Sequence, residues 1–376
     1  MIPFTNLSAH YQALRHDIDG AISRTMQSGH FVLGEQVKSF EEEFARFIGV
    51  RYCVGVASGT DAITLSLLAW GIQPGDEVIT AAMTAFPTIT GIMQAGARPV
   101  VVDITIDDGL IDAARINEKI TSRTKAIIAV HLYGQCCDMD QLLALARERG
   151  LCVIEDAAQA WGAEWEGKKA GGLGDAAAFS FYPTKNLSAA GDAGMAATNS
   201  GEIAERVRML RQHGMRQRYH HDELGWNARM DGFQGAVLQV KLKYIAVWND
   251  ARRAVAARYD ALFRKVGLAE NGPYPNRGLV LPREAKGARH VWHQYAIRAP
   301  RRNALRDFLT SRQIGSEVFY PIPLHLQPAL KGLGYKEGDF PEAERAAREV
   351  LALPMFPELR TDEQETVVAA IAEFYS

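Results

Sequence analysis

At 376 residues the chain is long enough to bury a large core and to divide into two or three units of ordinary domain size. Lys plus Arg number 42 against 44 Asp plus Glu, a formal charge of -2, which excludes a global basic field for nucleic acid and leaves room for a local anion site. Hydrophobic residues at 47% and charged residues at 23% are ordinary for a soluble globular enzyme, and no apolar run approaches the length that spans a bilayer.

The first seven residues lack the basic flank and apolar stretch of a secretory signal. Cys53, Cys136, Cys137 and Cys152 lie in apolar surroundings without metal-ligand spacing. The expectation is a cytoplasmic protein with reduced, structural cysteines and no metal.

In chain order, apolar spacing predicts amphipathic helices over 11–25 and 36–48, joined by a turn at 29–34. A short β-branched strand over 51–57 then feeds Ser58-Gly59-Thr60-Asp61 and a helix over 62–70. A strand ending in a small polar turn that opens a helix presents free backbone N–H groups, hydroxyls and the positive end of a dipole, which suits a phosphate. The alternative is a plain helix cap by Ser58 or Thr60, with Asp61 capping or facing away. Strands follow over 77–81, 99–102, 126–131 and 151–155, with helices over 88–94, 111–119 and 138–149. This alternation predicts an α/β fold with a mostly parallel sheet covered on both faces, which collects ligands at the carboxyl ends of its strands.

Asp156 directly follows the apolar strand over 151–155 and falls at that carboxyl edge, where a carboxylate with little water around it calls for a cation; Glu155 points the opposite way if the strand runs that far. Lys185 sits in Ser180-Phe181-Tyr182-Pro183-Thr184-Lys185-Asn186-Leu187-Ser188, after a proline that stops ladder pairing and before Gly191 and Gly194. An amine desolvated on such a turn has a lowered pKa and can form an imine with an aldehyde. An imine-forming lysine, a buried aspartate for a protonated pyridine nitrogen and a phosphate-binding helix start together describe a pyridoxal phosphate site.

Downstream, a helix is predicted over 201–212, followed by a loop over 215–226 that mixes cations with aromatics. That loop either recognises an anionic, planar group such as a nucleoside diphosphate through Arg216, Tyr219 and His220, or is solvated. A long helical region over 234–266 links two domains, 1–245 binding the cofactor and 246–376 forming a smaller α+β unit. The latter is expected to hold a loop over 272–287, strands over 291–298 and 316–320, and helices over 302–312, 342–351 and 361–374.

Glu155-Asp156-Ala157-Ala158-Gln159-Ala160, Gly167-Lys168-Lys169 and the segment from Phe179 to Leu187 resemble the DegT/DnrJ/EryC1/StrS family of pyridoxal phosphate-dependent sugar aminotransferases. The resemblance runs nearly end to end, through Phe40-Glu41-Glu42-Glu43-Phe44, Gly96-Ala97-Arg98-Pro99-Val100, Asn227-Ala228-Arg229-Met230-Asp231 and Tyr320-Pro321-Ile322-Pro323-Leu324-His325. It implies a fold-type I aminotransferase in which Lys185 carries the cofactor, Asp156 partners the pyridine nitrogen and Gln159 lies near the phenolic oxygen. It further implies that Gly59, Thr60 and Ser180 bind phosphate and that Asn227 reaches the phosphate from a neighbouring subunit, so that a homodimer shares its active sites. Tyr320 and His325 match positions near the substrate, with an ordinary packing role the alternative for His325. The family commonly has a ring-stacking aromatic after Thr84, where this chain has Ala85, so either Phe86 or Trp161 is left to cover the ring. The implied reaction moves an amine from L-glutamate to a nucleotide-linked keto-sugar, with a lean to a 3-keto-6-deoxyhexose. A 4-keto-sugar, a keto-cyclitol or a non-catalytic regulatory role for the bound cofactor are the alternatives. A dehydratase branch is disfavoured because its members tend to carry histidine at the position of Lys185.

Overall fold

Seven strands form the sheet that organises the larger part of the chain: β1 Tyr52–Val56, β2 Glu77–Ala81, β3 Arg98–Val102, β4 Thr124–Val130, β5 Cys152–Asp156, β6 Ala176–Ser180 and β7 Gly194–Thr198. The computed structural model describes every residue except 270, 271, 273, 274, 276 and 277, so part of the loop expected over 272–287 lies outside the described residues. The sheet order is β1-β7-β6-β5-β4-β2-β3, with β7 antiparallel to both its neighbours and the remaining pairs parallel. The carboxyl ends of β1, β2, β4, β5 and β6 therefore share one edge, as in other α/β sheets whose ligands gather there. Nearly every strand residue is buried, which explains the continuous Val, Ile and Ala runs in place of alternation.

The helices are α1 Leu7–Ser28, α2 Gly34–Ile48, α3 Gly59–Trp70, α4 Phe86–Gln94, α5 Ala113–Ile116, α6 Met139–Arg149, α7 Gly201–Leu210, α8 Gly232–Leu242, α9 Ile245–Lys265, α10 Arg302–Ser311, α11 Pro341–Glu349 and α12 Thr361–Tyr375. Caps account for several starts. Asn6 Oδ1 accepts the Ala9 amide at 3.1 Å and lets α1 begin before residue 11, and Asp138 does the same for α6 through the Gln141 amide at 3.1 Å. The helix expected over 111–119 is only one turn of α-helix, capped by Asp112, followed by a tighter turn at Asn117–Lys119. The helical region expected over 234–266 is two helices, α8 and α9.

A second, smaller sheet pairs β8 Tyr295–Arg298 with β9 Val350–Leu353. Two expectations fail here. The helix predicted over 342–351 ends at Glu349 because Val350-Leu351-Ala352-Leu353 is fully buried against β8, an apolar run that periodicity cannot assign to helix or strand. The strand predicted over 316–320 is an extended loop held by a single bridge, Glu317 to Ala352. β8 also starts later than expected, since residues 291–294 bend away with Trp292 at φ 48. Val255, Tyr259 and Phe263 of α9 pack in this second core with Ile2, whereas Ile245 packs in the core of the large sheet. Among the described residues no helix is long and apolar enough to cross a membrane.

Behind the sheet edge, Glu155 is buried on the face opposite Asp156, as strand alternation requires. It accepts the amides of Gly171, Leu173 and Gly174 at 2.7, 2.8 and 2.8 Å. His131 Nδ1 accepts the Cys137 amide at 3.2 Å, so its Nε2 carries the proton that Glu155 accepts across 3.0 Å. These bonds hold the β5 end rigid beneath the site. The four cysteines are free and buried.

Candidate active site

A cavity of about 260 Å³ opens at the shared carboxyl edge. Its walls come from the segments that leave β1, β2, β5 and β6: Ser58 to Thr60, Thr84 and Thr88, Asp156 and Gln159, and Ser180 with Lys185. Ser58 Oγ accepts the Asp61 amide at 3.1 Å and donates to Asp61 Oδ2 at 2.7 Å, so Ser58 is the cap of α3 and Asp61 turns toward it. Gly59 and Thr60 line the cavity in the first turn of α3, where backbone amides have no carbonyl a turn earlier to bond.

Two glycines make this end possible. A Cβ on Gly59 would stand 2.7 Å from Ser180 Cβ, and one on Gly194 would stand 2.2 Å from the Ser58 carbonyl oxygen. α3, β6 and β7 thus touch backbone to backbone, which brings the Ser180 hydroxyl beside the helix start. Gly59→Ala is expected to wedge α3 off β6 and weaken binding of a phosphate-bearing ligand by roughly tenfold, within the ~1–3 kcal/mol of such overpacking. Titration of the cofactor-free variant with pyridoxal phosphate checks this, and an unchanged affinity would contradict it.

Lys185 rises from the connection between β6 and β7. Its amide donates to the Tyr182 carbonyl at 2.9 Å, closing the turn that Pro183 begins, and the Ala189 amide returns to the Phe181 carbonyl at 2.8 Å. The ammonium lies 5.8 Å from the Trp161 ring centre. Burial pushes its pKa down to about 8, against the opposing pull of Asp156. Asp156 is 5% exposed, and its oxygens accept from the Thr88 hydroxyl at 2.8 Å and the Ala158 amide at 3.2 Å. Both donors are neutral, and burial raises its pKa despite them. Such a carboxylate is stabilised by a cation brought into the cavity. Gln159 is held from both ends: its Oε1 accepts the Tyr133 amide at 2.7 Å and its Nε2 donates to the Tyr320 hydroxyl at 3.2 Å.

A second cavity of about 460 Å³ adjoins the first and shares Gln159, Tyr182 and Lys185 with it. Phe4, Thr184, His293, Gln294, Glu317, Phe319 and Tyr320 are among its walls. A pocket lined by a helix start, a buried amine and a buried acid thus opens into a wider chamber.

The structure brings together Gly59, Thr60, Asp156, Gln159, Ser180, Lys185 and Tyr320 of the residues singled out from sequence. Others fall elsewhere. Phe86 starts α4 and packs against the core, leaving Ala85 and Pro87 on the cavity wall. Trp161 is 0% exposed beneath the lysine turn, so it cannot touch a substrate in the chamber. His325 packs edge-on against Phe340 and its Nε2 lies 3.0 Å from Glu344 Oε1, which leaves it a structural role. Arg216, Tyr219 and His220 stand on an exposed hairpin, where Arg216 pairs with Asp222 at 2.7 Å and Tyr219 is 77% exposed, and none lines either of these two cavities. Asn227 is exposed beside Arg229, also outside its own chain's main cavity. Sequence reasoning missed Thr88, Tyr133 and His293. The four-residue spacing of Thr84 and Thr88 was the one local signal, placing two hydroxyls one helical turn apart.

The model of the DegT/DnrJ/EryC1/StrS aminotransferase family matches residues 12–372. The chain is 48% identical over 375 residues, covering 100% of itself and 98% of the relative, to a "pleiotropic regulatory protein" of Geobacillus stearothermophilus. It is 42% identical over 373 residues, covering 99% and 96% of the two chains, to the dTDP-3-amino-3,4,6-trideoxy-alpha-D-glucose transaminase of Streptomyces venezuelae. Among solved structures, S. venezuelae DesV in complex with a ketimine intermediate superposes with a TM-score of 0.95 at 42% identity, over 100% of this chain and 98% of that one. Aminotransferases of this family depend on pyridoxal phosphate. With that match along nearly its whole length, and an amine and a carboxylate facing one cavity at the sheet's carboxyl edge, the chain belongs to the DegT/DnrJ/EryC1/StrS aminotransferase family.

Proposed function

We propose that this enzyme moves the amino group of L-glutamate onto a nucleotide-linked keto-sugar, with the keto carbon at position 3 of a 6-deoxyhexose. The observation that carries the reading is the pairing of Lys185, its amine depressed to about 8, with buried Asp156 around one small cavity. Gly59, Thr60 and Ser180 would hold the phosphate of pyridoxal phosphate, Asp156 its ring nitrogen and Gln159 its phenolic oxygen. When bound, that group supplies the electron sink that amine transfer needs. Lys185 Nζ then takes the proton from the Cα of glutamate and delivers one to the sugar carbon that receives the amine. Asp156, which burial alone would push toward its neutral form, would be held anionic by the cationic ring nitrogen of the bound group and would orient it. The sugar is assigned to the larger chamber, whose walls meet the small cavity at Lys185.

A homodimer is part of the proposal. Val32, 47% exposed, lines one groove with the exposed Asn227, and Phe31, Tyr219 and Leu224 are also exposed, at 44%, 77% and 91%. A second copy seated there would bring its own Asn227 toward the phosphate seat. A regulatory reading is favoured by the names of two relatives, the pleiotropic regulatory protein of Geobacillus stearothermophilus and the erythromycin biosynthesis sensory transduction protein EryC1 of Saccharopolyspora erythraea.

Because burial depresses Lys185 to about 8, capture of pyridoxal phosphate by the cofactor-free chain is expected to speed up roughly tenfold for each unit the pH rises toward that value and to level off above it. Stopped-flow absorbance checks this, and a rate independent of pH contradicts it. To test the activity, glutamate and a panel of 3-keto- and 4-keto-sugar nucleotides and keto-cyclitols are supplied to the holoenzyme. Amination of a 3-keto-sugar nucleotide supports the reading; amination of only a 4-keto-sugar or a cyclitol overturns its regiochemistry. A cofactor spectrum that glutamate never shifts leaves the regulator as the better account.

A further inference from the structure

A directional chain of hydrogen bonds runs under the lysine turn and ends at an imidazole on the wall of the larger chamber. The Trp161 carbonyl can only accept, so Asn249 Nδ2 donates to it at 2.7 Å and Asn249 Oδ1 is left to accept Asn186 Nδ2 at 3.2 Å. Asn186 Nδ2 also donates to the Val291 carbonyl at 3.2 Å, which fixes the amide's orientation a second time. Asn186 Oδ1 therefore accepts, and His293 Nδ1, 3.1 Å away, must carry the proton. The other ring nitrogen, Nε2, is a bare lone pair.

The ring cannot easily leave this position. Arg252 Nη1 donates to the carbonyls of Trp292 and His293 at 3.2 and 3.3 Å, and the Val291 amide is tied to the Gly134 carbonyl at 2.9 Å. Burial above all, with the positive charges of Lys185 and Arg252, holds the imidazole well below its ordinary pKa, so it stays neutral. His293 lines the larger chamber with Lys185 and Tyr320, and among the described residues Nε2 has no protein partner. The adjacent Gln294, 5% exposed and on the same wall, has its Oε1 unpartnered among the described residues.

We propose that His293 is a specificity-determining residue whose bare Nε2 accepts a hydrogen bond from a hydroxyl of the sugar that receives glutamate's amine. This rests on the sugar-aminotransferase reading above. A substrate lacking that hydroxyl leaves a buried acceptor unpaired, which disfavours it by about ten- to a hundredfold.

The test separates the two half-reactions in the holoenzyme, with glutamate as one probe and a dTDP-linked 3-amino-3,6-dideoxyhexose, run in reverse, as the other. His293→Ala is expected to lower kcat/KM for the sugar about ten- to a hundredfold, with the glutamate half-reaction falling far less, within about threefold. His293→Gln, which restores an acceptor, is expected to recover most of the loss. Equal losses in both half-reactions, or none for the sugar, overturn the proposal. A parent enzyme that turns over glutamate but no sugar counts against the functional reading. The inference keeps its own check: ¹⁵N spectra of histidine-labelled enzyme, with His293→Ala to assign the signal, must show the Nδ1–H tautomer. A proton on Nε2 at about pH 7 overturns it whatever the substrate.

Discussion

Lys185→Ala is expected to lower transamination by at least ~10⁴-fold and to abolish the yellow absorbance of the bound cofactor, because among the described residues Lys185 is the one lysine on the cavity wall and is the residue proposed for both attachment and proton transfer. The loss should be chemical and not structural. Among the described residues the Lys185 ammonium makes no hydrogen bond to the protein, and it lies 5.8 Å from the Trp161 ring centre. The turn is held instead by the Lys185 backbone and by Asn186, so the variant is expected to melt near the parent. Turnover within tenfold of the parent, measured with glutamate in excess, would remove Lys185 from the mechanism.

Asp156→Asn is expected to leave the cofactor bound and coloured but to slow proton transfer by about 10³-fold, the scale on which a single preorganised electrostatic partner acts. The phosphate seat proposed at the start of α3 does not use Asp156, which is why colour and rate are expected to separate in this variant and to fall together in Lys185→Ala. The sign on stability is distinctive. Burial raises the folded-state pKa of Asp156, so above its unfolded pKa the ionised carboxylate costs folding free energy in the cofactor-free chain. The neutral amide removes that cost. Cofactor-free Asp156→Asn is therefore expected to melt no lower than the cofactor-free parent at neutral pH, while its holoenzyme gains less from the cofactor. A rate within tenfold of the parent, or loss of cofactor binding, would refute the assigned role.

Much of the site was legible because its residues sit directly at strand ends, where local sequence reports position. Gly59, Thr60, Asp156 and Ser180 each fall within a few residues of an apolar strand, and Lys185 follows on the turn that Pro183 opens. Glu155 was correctly placed on the far face by alternation alone. What stayed hidden depends on contacts distant in sequence. Thr88 meets Asp156 across 68 positions and His293 meets Asn186 across 107, and no local pattern encodes either. Trp161 and His325 looked available because aromatic and polar character says nothing of burial, and both turned out enclosed. In the smaller unit, the end of the helix expected over 342–351 is a strand because a short apolar run takes helix or strand according to the neighbour it pairs with, here β8, whereas 316–320 gains only the one bridge from Glu317 to Ala352 of β9.

One lysine competes with Lys185 on electrostatic grounds. Lys241 is also depressed to about 8 by burial, yet its ammonium is spent on the Ser188 carbonyl and hydroxyl at 2.8 and 3.0 Å, and it does not line the cavity. Borohydride reduction of the holoenzyme, digestion and mass spectrometry identify which amine holds the cofactor. The mass of the reduced cofactor on the peptide carrying Lys185, and on no other, is the predicted result; its appearance on Lys241 or any other lysine would contradict the account.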